Sequence, residues 1–289
     1  MKIYRLLVPL FCLGLCLPPP LPAQQGRLSG ILIKPENILF VGNKLFPSTD
    51  LRNIFCNAGI DRSQVPVDQL DLYNAPRINL AYQTLLTFYR NRGFLKVQIQ
   101  QPSVDFTQKP SPTQVQLTLS IVESLQYHLR EVKMAGARAL TEPFLRSLLN
   151  LQPNSLLNLS KIDQGLASIR DTYLTLGFLD VQVNSSLETP PGASVADLLL
   201  NLQEGIQYRV GKIEMVGSLP FQTSLFLEFF PLQKGDIFGE KIFNSALNAL
   251  NNLGMTPKLT TQDIDFIIDR NRGVVDLVIY LAGKSLGKK

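Results

Sequence analysis

The spacing of apolar residues in this chain changes period several times, and the same changes recur in three segments. Each segment opens on the pattern apolar, any residue, aromatic or Met, small, Gly, at residues 38–42, 132–136 and 213–217. This alternation is typical of a half-buried strand, and the closing glycine can adopt a positive φ. A short amphipathic helix is predicted after each strand, around residues 51–55, 144–149 and 221–230.

A longer helix follows in each of the first two segments. Its apolar residues recur with a 4-3-4 spacing that places them on one helix face. They are Ile78, Tyr82, Leu85 and Tyr89 in the first segment and Ile162, Leu166, Ile169 and Tyr173 in the second. Ser160 and Asp163 predict a capping box at the start of the second of these helices. Gly93, Gly177 and Gly254 predict left-handed C-caps.

Beyond these glycines the period becomes two. Strands are predicted at residues 94–99 and 178–183 and, after turn-rich stretches, at 115–122, 196–202 and 273–281. In the third segment Pro257 interrupts the second strand, which shortens it or demotes it to an edge. The order β-α-α-β-β therefore predicts an α+β protein of three tandem modules, each a small three-stranded sheet with two helices on one face.

Ungapped agreement between the segments sets the predicted module boundaries. The pattern Glu-x-x-x-Tyr links one module to the next at residues 123–127 and 204–208. The modules are predicted to span 34–126, 127–207 and 208–283, followed by a basic tail at 284–289. Chance similarity between unrelated domains would not align the Gly-Phe and Glu positions in this way.

The first 23 residues have the order of a secretory signal peptide. Lys2 and Arg5 lie in a short basic start, an apolar run covers 6–17, and prolines precede Ala23. The run is shorter than the roughly 20 residues that a spanning helix needs, so cleavage is favoured over a retained membrane anchor. Cleavage would leave Cys56 as the one cysteine and lower the formal net charge from +5 to +3. The mature chain is therefore expected to form no internal disulfide and to lack the strong basic charge of nucleic-acid-binding proteins.

The side chains that enzymes and metal centres use are scarce. His128 is the only histidine, and no glycine-rich phosphate loop has the required spacing. Asp263, Asp265 and Asp269 lie close in sequence, but a polar strand-and-loop stretch explains them better than a calcium or acid–base site does. The sequence predicts neither catalysis nor a metal or other cofactor.

The repeated motifs resemble the POTRA family, the polypeptide-transport-associated domains of outer-membrane assembly and secretion proteins. The resemblance is carried by Val41-Gly42-Asn43, by Tyr-x-x-x-Gly-Phe at residues 89–94 and 173–178, and by Glu204-Gly205-x-x-Tyr208. It implies periplasmic modules strung in arrays ahead of a β-barrel. Eight residues follow Leu281, too few for barrel strands, so the barrel is expected to be absent from this chain.

The resemblance also implies a binding edge on the second strand of each module. An extended polypeptide can add to an unpaired sheet edge through main-chain hydrogen bonds. The residues concerned are Val97, Gln98 and Ile99 in the first module and Val181, Gln182 and Val183 in the second. The alternative is that these residues only complete the sheet.

We therefore expect a non-enzymatic scaffold of the periplasm, associated with the outer membrane through a partner. It would bind a β-barrel protein or unfolded outer-membrane clients during assembly or secretion, and neither nucleic acid nor a small-molecule substrate. The alternative is a structural adaptor of the cell envelope, as in division proteins, and a retained membrane anchor would favour that role. A secreted hydrolase is disfavoured because the sequence offers no catalytic site.

Overall fold

The computed structural model describes residues 35–58, 75–100, 103–105, 116–217, 228, 230–254, 256 and 258–281. The predicted signal peptide at 1–23, the tail at 284–289 and Pro257 lie outside these residues. Most of the short helix predicted around 221–230 also lies outside them.

The elements of the described chain fall into three successive groups, named here the first, second and third module. The first contains β1 (Ile38–Val41), α1 (Ser48–Asn57), α2 (Ala75–Arg90), β2 (Gln98–Ile99), β3 (Ser103–Asp105) and β4 (Gln116–Val122). The second contains β5 (His128–Ala135), α3 (Glu142–Leu149), α4 (Leu159–Thr175), β6 (Gln182–Glu188) and β7 (Val195–Gln203). The third contains β8 (Arg209–Val216), α5 (Glu240–Leu253), β9 (Ile264–Asp269) and β10 (Val274–Tyr280).

Each module places its last strand in the centre of its sheet. The strand orders are β1-β4-β2, with β3 also paired to β4, then β5-β7-β6 and β8-β10-β9. The central strand runs parallel to the first strand of its module and antiparallel to the second. These sheets and their helices confirm the predicted α+β fold of tandem modules.

The helices cover one face of each sheet because the strands alternate between buried and exposed side chains. In β4, Leu117, Leu119 and Ile121 point into the core of the first module. Tyr89 of α2 and Tyr173 of α4 are fully buried in the first and second cores. Each module therefore has its own apolar core under one sheet face, and the other sheet face stays open.

The second strand of the first two modules begins later than predicted. The N–H of Phe94 donates to the Tyr89 carbonyl at 3.1 Å, and that of Val97 donates to the Phe94 carbonyl at 3.2 Å. The chain therefore turns after the helix and enters β2 only at Gln98. The same turn in the second module delays β6 until Gln182. Leu95, Val97 and Ile99 recur at every second residue as in a strand, although Leu95 packs against the second core and Val97 is buried in the turn.

Two further local expectations need correction. The N-cap of α4 is Asn158, whose side chain accepts from the Lys161 N–H at 3.0 Å, so the predicted capping box at Ser160 and Asp163 is wrong. The second strand of the third module is β9, which begins at Ile264, well after Pro257. The described capping box lies just before β9, between Thr260 and Asp263.

A half-buried carboxylate closes each of the first two modules. Glu123 accepts hydrogen bonds from the backbone N–H groups of Lys44 and Leu45 at 3.2 and 3.1 Å and from the Tyr89 hydroxyl at 3.0 Å. These contacts tie the loop after β1 to α2 and to the end of β4. They give a structural role to Tyr89 and Glu123, which recur in the second module as Tyr173 and Glu204.

The second module repeats the arrangement with shorter distances. Glu204 accepts from the N–H groups of Arg138 and Ala139 at 2.7 and 2.9 Å and from the Tyr173 hydroxyl at 2.6 Å. Burial alone would raise the pKa of Glu204, but these donors lower it below its usual value. Burial, together with the hydrogen bond to Glu204, raises the pKa of Tyr173.

The third module has neither the tyrosine nor the glutamate of this hydrogen-bonded pair. Leu250 stands at the position of Tyr89 and Tyr173, four residues before the helix-ending glycine. When the three sequences are aligned on their central strands, Gly283 stands at the position of Glu123 and Glu204. The tyrosine and the glutamate are absent together, as expected if the glutamate binds only the tyrosine and the loop of its own module.

Asp197 is the buried charged side chain of the described residues, at 2% exposure in the central strand β7. Its carboxylate accepts from Arg130 Nε at 2.7 Å and Nη2 at 2.5 Å, and from Lys133 Nζ at 3.3 Å. The hydrogen bonds from Arg130 lower the pKa of Asp197 to about 2. Two cations from β5 thus neutralise a carboxylate on the open face of the second sheet.

Replacing Glu204 by Gln should destabilise the chain. The variant loses charge-assisted hydrogen bonds to two backbone N–H groups, so we expect the free energy of unfolding at pH 7 to fall by about 1 to 2 kcal/mol. Because folding lowers the pKa of Glu204, its contribution is present above the unfolded value and is lost as pH falls below it. Denaturant unfolding at pH 7 and pH 3 measures both effects, with the exposed Glu188→Gln as control. An equal loss in both variants would contradict the assigned role.

Replacing Asp197 by Asn should lower the melting temperature at neutral pH. The folded pKa of about 2 lies below the unfolded value of 3.8, so the stabilisation exists above pH 4 and disappears as pH falls towards 2. Thermal unfolding between pH 7 and pH 2.5 should show the difference between variant and parent shrinking. Asp171→Asn, which removes an exposed ion pair with Lys241, should change little at any pH. A pH-independent difference at Asp197 would contradict the assigned ionisation.

Candidate functional sites at strand edges and module junctions

The second strand lies at an edge of its sheet in every module. β2, β6 and β9 each pair with the central strand on one side. An edge strand leaves alternate N–H and C=O groups without a ladder partner, and an added strand can use them. The arrangement offers main-chain recognition of an extended polypeptide, which tolerates many client sequences.

The side chains of the predicted edge residues differ in their exposure to solvent. Gln98 and Gln182 are exposed at the start of β2 and β6, and Val183 is half-buried. The side chains of Val97, Ile99 and Val181 are buried at 6%, 5% and 3% exposure. Val97 and Val181 lie in the turns before the strands, so their side chains contribute to the cores.

The longest of these edges is β6, with seven residues against two in β2. It exposes Gln182, Asn184, Ser186 and Glu188, and these four pair in register with Gln203, Asn201, Leu199 and Asp197 of β7. Within the described residues, the backbone hydrogen bonds of β6 go to β7. β6 therefore has both the length and the open side that strand addition requires.

The opposite edge of the second sheet is partly covered. The Leu129 N–H donates to the Ser155 carbonyl at 2.9 Å, and the Asn154 N–H donates to the Leu129 carbonyl at 2.7 Å. The same cover recurs in the third module, where Val210 exchanges backbone hydrogen bonds with Gly235 and Asp236. The loop before the long helix thus occupies the start of β5 and of β8, and β6 remains the open edge.

The sequence analysis missed the edge strand β9. It places Ile267 and Ile268 on opposite faces, at 56% and 42% exposure. Successive large apolar residues on an edge are uncommon in proteins that protect their sheets with charges. The apolar run Phe266-Ile267-Ile268 indicates a strand, but the second strand of this module was expected near Pro257.

The first junction joins the end of α2 to the start of β5. The N–H of Tyr127 donates to the Gly93 carbonyl at 2.7 Å, and the Gln126 side chain donates to the Arg92 carbonyl at 2.8 Å. Asn91 exchanges hydrogen bonds with Ser160 of α4, at 2.8 Å to its hydroxyl and 3.0 Å from its backbone N–H. Leu95 packs against the second core.

The second junction has the same backbone hydrogen bonds as the first but different side-chain contacts. Tyr208 N–H donates to the Gly177 carbonyl at 2.8 Å, and the Gln207 side chain donates to the Leu176 carbonyl at 2.9 Å. The Tyr208 hydroxyl donates to Asp180 at 2.5 Å, and burial together with this bond raises the pKa of Tyr208 to about 12. Charged pairs Lys241–Asp171 and Arg270–Asp180, at 3.0 and 3.7 Å, add to this junction. The two junctions therefore share one backbone design.

The histidine, cysteine and aspartates that were weighed as catalytic or metal-binding residues make contacts within the fold. His128 opens β5 and pairs with Val195. Burial raises the pKa of the Cys56 thiol, although Arg52 and Arg77 oppose the shift. Asp263 accepts from the Thr260 N–H, Asp265 accepts from the Tyr280 hydroxyl, and Asp269 pairs with Arg272. Among the described residues, no group of three or more His, Cys, Asp or Glu side chains could hold a metal ion.

None of the helices in the described ranges is both long enough and apolar enough to cross a bilayer.

Comparison with known proteins places these features in a family. The POTRA family model, described as a surface antigen variable number repeat, matches residues 33–124 and 127–205, more than half of the chain. The structure of POTRA domains 3–5 of Haemophilus influenzae BamA shares the fold, with a TM-score of 0.56 at 19% identity, and covers 88% of this chain and 96% of that one.

Two curated relatives are similar in sequence. A putative outer membrane protein assembly factor of Treponema pallidum (strain Nichols) is 21% identical over 232 residues, 80% of this chain and 27% of the relative. Outer membrane protein assembly factor BamA of Buchnera aphidicola is 22% identical over 170 residues, 59% of this chain and 27% of the relative. The chain thus spans about a quarter of the length of the curated relatives that it matches. With two repeats matched by the family model and a third built on the same strand order, the chain belongs to the POTRA family.

Proposed function

We propose that this protein is a non-enzymatic scaffold of the periplasm that assists assembly or secretion of outer-membrane proteins. It binds an extended segment of a client or of a β-barrel partner by strand addition. The observation that carries the proposal is the open seven-residue edge of β6, next to a central strand that is fully paired.

The side chains of β6 suit a binder of varied clients. Main-chain hydrogen bonds supply affinity without reading the client sequence, and three of the four exposed side chains, Gln182, Asn184 and Ser186, are neutral and polar, with Glu188 charged at the end of the strand. Neutral side chains neither repel a charged client nor form an apolar patch that would aggregate. A polar edge of this kind combines reversible binding with solubility.

The biological setting of the proposal comes from the relatives. The curated relatives are named as outer membrane protein assembly factors, and the structural neighbour is a set of POTRA domains of BamA. An assembly factor needs to hold polypeptides while they are unfolded, which strand addition does. Association with the outer membrane would come through the partner that the modules bind.

A photo-crosslinking residue at position 182 should capture outer-membrane β-barrel proteins in cells that make this protein. Gln182 is exposed at the start of the open edge, so a client strand on β6 would lie beside it. A second probe at the exposed Gln98 tests the shorter edge of the first module. Mass spectrometry of the adducts measures which proteins are captured and at which residue.

Matched probes on the helices provide the controls. Gln164 of α4 and Gln83 of α2 are exposed glutamines away from the strand edges, and they should capture the same proteins at least tenfold less often. Equal capture from edge and helix would contradict strand addition. Capture of inner-membrane or division proteins alone would favour an envelope adaptor over an assembly scaffold.

A further inference from the structure

An arginine from the short helix reaches the first strand in each of the first two modules. Arg52 of α1 donates from Nε and Nη2 to the Ile38 carbonyl, both at 3.3 Å. Arg146 of α3 donates from Nη2 to the Val132 carbonyl at 2.7 Å. Each arginine stands ten residues after the glycine that follows its first strand, so the contact is a repeated feature of these modules.

The Val132 carbonyl points away from the sheet. Leu129 and Val132 both direct their side chains into the second core, because a register shift between Leu129 and Glu131 adds one residue to β5. Residues of a strand whose side chains share a face also share the direction of their N–H and C=O groups. The backbone of Leu129 binds the loop outside the sheet, so the Val132 carbonyl points to that outer side as well. Arg146 therefore occupies a carbonyl on the free edge of β5, and Ile38 holds the corresponding position in β1.

An ion pair holds the Arg146 guanidinium across this edge. Glu142 Oε1 accepts from Arg146 Nε at 2.9 Å and from Nη2 at 2.6 Å, so Nη2 donates to this carboxylate as well as to the Val132 carbonyl. The arginine side chain is 46% exposed and lies at the surface that an added strand would approach. A guanidinium carries donors and no acceptor, so it presents N–H groups where an added strand has to place its own.

The rest of the β5 edge is obstructed by the backbone. The loop before α4 covers the start of the strand through its hydrogen bonds with Leu129. The strand ends at Ala135, and Gly136 follows with a φ of +86°. The loop, the arginine and this turn leave β5 no run of free backbone groups as long as that of β6.

A tyrosine makes a similar contact with β2. The Tyr82 hydroxyl of α2 donates to the Ile99 carbonyl at 2.8 Å. The next residue, Gln100, directs its N–H to the Ser120 carbonyl of β4, so the Ile99 carbonyl points to the free side of β2. In the second module Leu166 stands at the position of Tyr82 and has no hydroxyl to donate. Within the residues that the structure describes, no side chain donates to a backbone carbonyl of β6.

We propose that Arg52, Tyr82 and Arg146 close three of the four sheet edges in the first two modules and confine strand addition there to β6. The inference rests on the proposed function and assigns the choice of edge to these three residues. Each places a side-chain donor on an outward carbonyl that a client strand would otherwise use. The edge that carries no such donor, β6, is also the longest of the second strands.

Closed edges suit a carrier of unfolded chains. A sheet that is open on both sides could join two clients through one module, whereas a sheet with one open edge binds a single client strand. Closed first strands are also prevented from pairing with one another between copies of the chain. The three side chains therefore limit association to the edge that serves the client.

Replacing Arg146 by Ala should open β5 to clients. A photo-crosslinking residue at the exposed position of Ala135, in cells that make the protein, should capture outer-membrane β-barrel proteins at least fivefold more often in this variant than in the parent. Capture from position 182 should stay within twofold, because β6 is unchanged. Arg170→Ala removes a half-buried arginine of α4 that has no described hydrogen bond to a strand, and it should leave both yields unchanged. Thermal unfolding verifies that the variants fold.

Replacing Tyr82 by Phe makes the same test on β2 with the loss of one oxygen atom. Capture from a probe at Gln98 should be weaker than from position 182 in the parent and rise at least threefold in the variant. Thr84→Val removes a hydroxyl that binds the Leu80 carbonyl within α2, and it should leave the yield unchanged. Mass spectrometry of the adducts measures the yields.

The outcomes separate the choice of edge from client binding itself. Capture from position 182 with no rise at 135 or 98 would overturn the choice of edge by these residues and leave client binding at β6 intact. A loss of stability in Arg146→Ala without a rise at 135 would assign that arginine a structural role only. Absence of capture from position 182 in every variant would contradict strand addition at β6, and the inference would fall with it.

Discussion

The hydrogen bond from a tyrosine N–H to the carbonyl of a left-handed glycine is the contact on which the arrangement of the modules depends. It joins Tyr127 to Gly93 at 2.7 Å and Tyr208 to Gly177 at 2.8 Å. The glycine has to be left-handed for its helix to stop there, and the tyrosine has to be extended to begin the next strand. One bond thus fixes where a helix ends and where the next module starts. A side chain larger than hydrogen at either glycine would collide with the tyrosine carbonyl.

The carboxylate that precedes each tyrosine links this junction to the module before it. Glu123 and Glu204 close the loop of their own module, and four residues later the chain reaches the tyrosine that begins the next. The short segment from the glutamate to the tyrosine therefore both closes one module and attaches the next. In the aligned sequence of the third module, Leu250 and Gly283 stand in place of this tyrosine and this carboxylate, so the pair is lost together. Strand edges such as β6 are left free by this design because the modules join through helix ends and first strands.

Much of this fold follows from sequence periodicity, and the parts that do not have specific physical causes. The order of elements and the central strands β4, β7 and β10 could be predicted because their alternating residues are buried on one face. The start of β2 could not, because Leu95, Val97 and Ile99 recur at every second residue as in a strand although Val97 still lies in a turn, and the same turn delays β6. The N-cap was predicted at Ser160, but it is Asn158. Ser160 instead binds Asn91 across the first junction. The six predicted edge residues included two exposed glutamines, and tertiary packing alone distinguishes these from the buried valines beside them.

Amide hydrogen exchange at Tyr127 and Tyr208 tests the central claim most directly. If their N–H groups are held by Gly93 and Gly177 as described, they should exchange as slowly as the amides of the central strands, since both would need a module to unfold. Exchange of Tyr127 and Tyr208 at the rate of exposed loop amides, with Leu119 and Leu200 still protected, would contradict the account. The modules would then be joined by open hinges.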